Sequence, residues 1–188
     1  SWNGLMIRGF ADAGRILEKP GYLETAEKAA TFVLEQLSDQ EGRLLRTFRG
    51  GEAKLNAYLV DYAFLVEGLL SLHRATGKKE WLDEADRLMK IQLELYWDDT
   101  NSGFFFTSND HESLLARGKN PVDGAQPSGN SVSVQNLLTL ARELENEEYL
   151  ERADRTIRSV SGILSNSPSA SPRMVIAVGQ LLEARGKE

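Results

Sequence analysis

The chain has 188 residues, 41% hydrophobic and 27% charged, with a net charge of −6. That is globular composition sufficient for one sizeable core, and the lack of a basic block excludes nucleic acid as an expected partner. With no cysteine and only two histidines, disulfides, thiolate nucleophiles and Cys- or His-rich metal sites are excluded within the chain.

The predicted elements follow an internal repeat. Residues 2–37 form the first unit, ending in the helical segment GYLETAEKA (21–29). The segments EWLDEADRL (80–88) and EYLERADRT (148–156) repeat it, with Tyr22 over Trp81 and Tyr149 and Ala26 over Ala85 and Ala153. An acidic column (Glu24, Asp83, Glu151) precedes a basic one (Lys28, Arg87, Arg155) by four residues, the favourable order for exposed helical pairs. The same offsets hold upstream without gaps, placing Leu5 over Phe64 and Val132, and Phe10 over Leu69 and Leu137. The repeat is therefore a pair of helices, running over 2–37, 61–96 and 129–164, with a further first helix starting near Pro172.

In each unit the second helix is amphipathic and the first is apolar nearly all round, as an outer and an inner helix would be. The fold class expected is all-α, built of α/α hairpins. Two linkers interrupt the repeat. SDQEGRLLRTFRGG reads as an acid, a turn and a β-like run, and GFFFTS and SLLARG read as a hairpin flanking NDHE. Long decorated loops favour a closed α/α toroid with a rim over an α-solenoid with short turns. No apolar run reaches the length of a bilayer span and no signal peptide is apparent, so no membrane partner and a cytoplasmic location are expected.

The column at the start of each first helix holds Trp2 and Asn3, then Asp61 and Tyr62, then Gly129 and Asn130. Polar or aromatic residues there suit a saccharide, through ring stacking and hydrogen bonds to hydroxyls. Asp61, on an otherwise apolar helix, is the candidate general acid or base, and Asp123 the second carboxylate of a pair. The alternative for Asp61 is capping or pairing within the core; for Asp123 it is an Asx-turn. Arg117 and Lys119 are candidates for anion binding or for balancing the two acids. Ser128 reads as an N-cap, His73 as a helix C-terminal cation and His111 as a solvated loop tip.

The segments SWNGLMI, NAYLVDYAFLVEGLL, SGFFFTS and DGAQPSGNSV together resemble the C-terminal region of the spermatogenesis-associated protein 20-like family. That resemblance implies a thioredoxin-like domain followed by a six-hairpin glycosidase-like α/α toroid. Residues 1–188 would then be a single-domain fragment holding about three and a half of the six hairpins, with a short β-hairpin in a rim loop. The thioredoxin-like domain and first hairpins would precede it. The implied partners are the missing N-terminal half, or a second copy through exposed hairpin faces, and a saccharide ligand. N-acylglucosamine 2-epimerases share such a toroid, but they use histidines near the first-helix ends, where this sequence has none. No cofactor is implied. A non-catalytic scaffold serving the thioredoxin-like domain is the alternative function.

Overall fold

A computed structural model describes residues 1–111 and 116–186. The chain forms two compact units, residues 1–92 and 93–188. In the first, α1 (Trp2–Ile16) and α2 (Pro20–Gln36) lead into a two-stranded antiparallel hairpin, β1 (Leu45–Arg49) and β2 (Glu52–Asn56). Then come α3 (Leu59–Thr76) and α4 (Lys79–Tyr96), which crosses the unit boundary. The second unit contains α5 (Gly129–Leu144), α6 (Glu147–Ser159), α7 (Ser161–Asn166) and α8 (Pro172–Ala184). The helix pairs match the repeat expected from the sequence, with one exception. The third unit's second helix breaks at Val160, where the backbone N–H turns back to Ile157 O. The side chains of Thr156 and Ser159 bond to carbonyls of the preceding turn, and Gly162 follows; both features weaken helix continuation.

The β-hairpin lies in the first linker. Arg49 pairs with Glu52 across Gly50 and Gly51, whose φ values of 62° and 83° meet the demands of a tight two-residue turn. In the second linker, where a hairpin was also expected, Trp97 and Phe104 form an isolated bridge, and the described residues of the two expected strands are joined by a bond from Phe106 N to Gly118 O. Residues 112–115 of that expected hairpin lie outside the described residues.

In the first unit α3 is the central element. Its residues 61–72 are buried without interruption, which explains why its sequence shows so little amphipathicity. α1 packs directly on it. A Cβ at Gly4 would lie 2.5 Å from the Phe64 carbonyl carbon, so the backbones meet where only glycine fits. Gly4 shares its column with Ala63 and Ser131, both fully buried, so all three first helices are small at this position. α2 covers the pair with Ala26, Ala30 and Val33. In the second unit α5 packs against both α6 and α8, burying Leu137, Leu140, Ala153, Met174 and Ala177.

The turns joining the helices of each pair repeat too. Glu18, Gly77 and Glu145 occupy one column and all are left-handed, at φ 54°, 70° and 52°. After α1 and α5 the following N–H, from Lys19 and Asn146, closes back to Gly14 O and Ala141 O, again one column. This is the helix-terminating arrangement in which glycine is preferred. Only the middle unit has glycine there. Glu145→Gly should therefore stabilise the chain by about 1 kcal/mol and raise its melting temperature by roughly 2–4 °C, measured by thermal unfolding.

Candidate functional site

Asp61 sits in the first turn of α3, 8% exposed. Its Oδ2 accepts from the Tyr58 backbone N–H at 2.9 Å and from Arg46 Nη1 at 3.2 Å, and its Oδ1 accepts from the Ser1 amino group at 2.6 Å. The first contact caps the helix's own N-terminus and the second ties down β1. The Arg46 guanidinium also lies 4.5 Å from the centroid of the Tyr58 ring. Asp61 Oδ2 is thus held by two donors, and the side-chain cation beside it is Arg46, a residue the sequence reading did not single out. Its only signal was its place in the β-like run.

Tyr62, one residue on, is 1% exposed, and its hydroxyl accepts from Leu44 N–H at 2.8 Å. Burial pushes its phenol up to about 12, which removes it from proton transfer near neutral pH. Leu44 forms an isolated bridge with Ser38, across a turn in which Asp39 Oδ1 accepts from Glu41 and Arg43 N–H.

The second unit repeats this arrangement. The Trp97–Phe104 bridge encloses a turn in which Asp98 Oδ1 accepts from Thr100 and Asn101 N–H at 2.9 and 3.1 Å. Asn130 takes the place of Tyr62: its Oδ1 accepts from Phe104 N–H at 2.8 Å and its Nδ2 donates to Phe104 O at 2.9 Å. Gly103, at φ 78°, passes so close that a Cβ would lie 3.1 Å from Asn130 Oδ1.

Lys119 donates to Asp98 Oδ2 and, at 2.6 Å, to Ser102 O. Burial alone would push the Asp98 carboxyl up. The Lys119 ammonium and the N–H groups of Asn101 and Thr100 outweigh it and hold the group well below the usual carboxylate range. Arg117 donates to Thr107 O and Leu95 O, and its guanidinium lies 4.1 Å from the Phe105 ring centroid. Burial lowers its pKa, an effect that Asp98 and Tyr96 oppose. Asp98 is the buried acid that sequence reasoning passed over as part of an acidic turn; nothing in the pattern WDDTNSG announced its burial or its lysine.

Asp123 joins two helix N-termini. Its Oδ1 accepts from Ser128 N–H at 2.7 Å, and its Oδ2 from Arg173 N–H, in the first turn of α8, at 2.9 Å. Ser128 caps α5 as its sequence suggests, accepting from Asn130 and Ser131 N–H while its hydroxyl donates to Asn120 O. His73 Nδ1 lies 2.9 Å from Lys78 O at the α3–α4 turn, and His111 Nδ1 lies 2.7 Å from Ser108 Oγ. Trp2 is 66% exposed, and Asn3 beside it is exposed as well. Among the described residues no group of three or more His, Asp or Glu side chains is placed to hold a metal ion, and no helix is long and apolar enough to cross a membrane.

The solved structures similar to this chain place its helix pairs in the all-α, six-hairpin glycosidase-like class of α/α toroids. The chain is similar to a GH76 α-mannanase from Bacteroides thetaiotaomicron (TM-score 0.74, 17% identity, covering 97% of this chain and 51% of that one). It is also similar to cellobiose 2-epimerase from Bacillus thermoamylovorans (TM-score 0.67, 21% identity, 83% and 42% covered). In sequence it resembles the spermatogenesis-associated protein 20-like family along nearly its whole length. It is 36% identical to the rat and 35% identical to the human spermatogenesis-associated protein 20, over 95% of this chain and 24% of each relative. An uncharacterized Caenorhabditis elegans protein is 36% identical over the same share of the chain, which spans about a quarter of all these relatives. No family model matches the chain.

The Asp98–Lys119 contact has a defined pH dependence. The folded-state value of Asp98 lies below that of the unfolded chain, so its stabilisation is complete above about pH 4 and lost as pH falls through the depressed folded value. Lys119→Met should destabilise the chain by on the order of 2 kcal/mol at pH 7. That deficit should shrink as the pH is lowered below about 4, as read from urea unfolding at each pH.

Proposed function

We propose that this chain is part of a carbohydrate-binding, six-hairpin glycosidase-like domain within a longer cytoplasmic protein, and that it acts there as a binding and scaffolding segment. The observation that carries this reading is the engagement of its candidate acids. Asp61 accepts from the Tyr58 backbone N–H and from Arg46, and Asp123 from two backbone N–H groups. A general acid must present a proton to a leaving group within hydrogen-bond reach, and both carboxyls here are aimed at the protein's own donors. Arg117, Lys119, Tyr62 and Asn130 are likewise engaged with backbone carbonyls, N–H groups or Asp98. The saccharide class is supported by the enzymes that share the fold, which is an argument by analogy. The thioredoxin-like domain implied by the resemblance would lie outside this chain.

The competing reading makes Asp61 and Asp123 the acid and base of a sugar-converting enzyme. A saccharide library screened by thermal shift on the longer protein, as wild type and as Asp61→Asn, separates the two. We expect at least one saccharide to raise the melting temperature and to do so equally in Asp61→Asn, whose own melting point should fall by roughly 2–4 °C. Saccharide turnover that Asp61→Asn abolishes while binding persists would establish the enzyme. No shift with any saccharide would remove the carbohydrate and leave the scaffold alone.

A further inference from the structure

In each unit, one side chain at the start of a first helix holds the backbone of the linker before it. Tyr62 receives Leu44 N–H, and Asn130 receives Phe104 N–H and donates to Phe104 O. The two receivers occupy the same repeat column. The two held residues are also equivalent, since each closes a one-bridge turn led by an aspartate, Asp39 or Asp98, that accepts two backbone N–H bonds. The receivers are 1% and 4% exposed, so the contact is a buried one in both units. The third member of the column is Asn3, which has the same carboxamide as Asn130 but is exposed, next to an exposed Trp2 and Met6.

We propose that Asn3 is the docking residue for the linker of a preceding α/α hairpin in the longer protein. The relatives are about four times the length of this chain, so a preceding hairpin has room to exist. The occupant is defined by the two observed cases. It is an Asp-led turn closed by a single bridge, and its last residue is apolar, as Leu44 and Phe104 are. It lies about 18 to 26 residues ahead of Asn3, the separations seen for Tyr62 and Asn130. Asn3 Oδ1 accepts that residue's N–H and Nδ2 donates to its carbonyl, as in the Asn130 contact. Trp2 and Met6 are covered by the same segment. This inference does not depend on any carbohydrate.

Hydrogen–deuterium exchange of the longer protein, as wild type and Asn3→Ala, tests it. Amides in the predicted linker ahead of Asn3 should exchange about fivefold faster in the variant, the effect of losing one net hydrogen bond. Tyr62→Phe calibrates the readout, because it should speed exchange at Leu44 by a similar factor. Asn3→Ser, which keeps an acceptor oxygen, should give an intermediate effect and serves if the alanine variant fails to fold. Unchanged exchange in the upstream linker in either variant overturns the proposal. So does protection of the α1 face that appears in residues 1–188 alone and only at high concentration, since a second copy would then be the occupant.

Discussion

A backbone N–H removed from water needs an acceptor, and in this protein that demand joins each linker to the helix that follows it. Leu44 and Phe104 lie under their own bridges, 4% and 0% exposed, and neither N–H is satisfied by a neighbouring strand beyond the bridge. A phenol oxygen answers one and a carboxamide the other. The loops are long, but this contact gives each a fixed anchor at a helix N-terminus. The hairpin β1–β2 and the Arg117–Phe105 stack are built outward from these anchored turns.

The carboxylates extend the same logic. Asp39, Asp61, Asp98 and Asp123 each accept backbone N–H bonds, at turns or at helix N-termini, where free N–H groups gather. Cations join two of these acids, Arg46 at Asp61 and Lys119 at Asp98. A buried acid in an enzyme of this fold class invites a catalytic reading. Here the donor set is the better guide, because an acid's use is decided by what its oxygens face.

In the first unit the two first helices meet through a small residue. Gly4 against Phe64 brings the α1 and α3 backbones into contact, and Ala63 and Ser131 keep the column small in the other two. α3 is buried along most of its length, which suits a helix with so few charges. Its two buried acids are both paired, Asp61 with Arg46 and Glu67 with Arg8 from α1.

The helix pairs and their order were legible in the sequence, though the break at Val160 was not, because helical periodicity is local and the repeat supplied three readings of one pattern. The Ser128 cap was legible because capping is local as well. The column Asn3, Tyr62 and Asn130 was also visible, as polar or aromatic residues on apolar helices. Its use was not, since a side chain that binds a sugar and one that holds a backbone N–H carry the same chemistry. The pairing of Asp61 with Arg46, 15 residues away, and of Asp98 with Lys119 depends on where linkers of differing length fold back. Those linkers carry no period to read. Sequence by itself determined which elements form and which positions are equivalent. Only the tertiary structure decided which donors each buried acceptor meets, because those partners are brought together by loop closure and not by spacing.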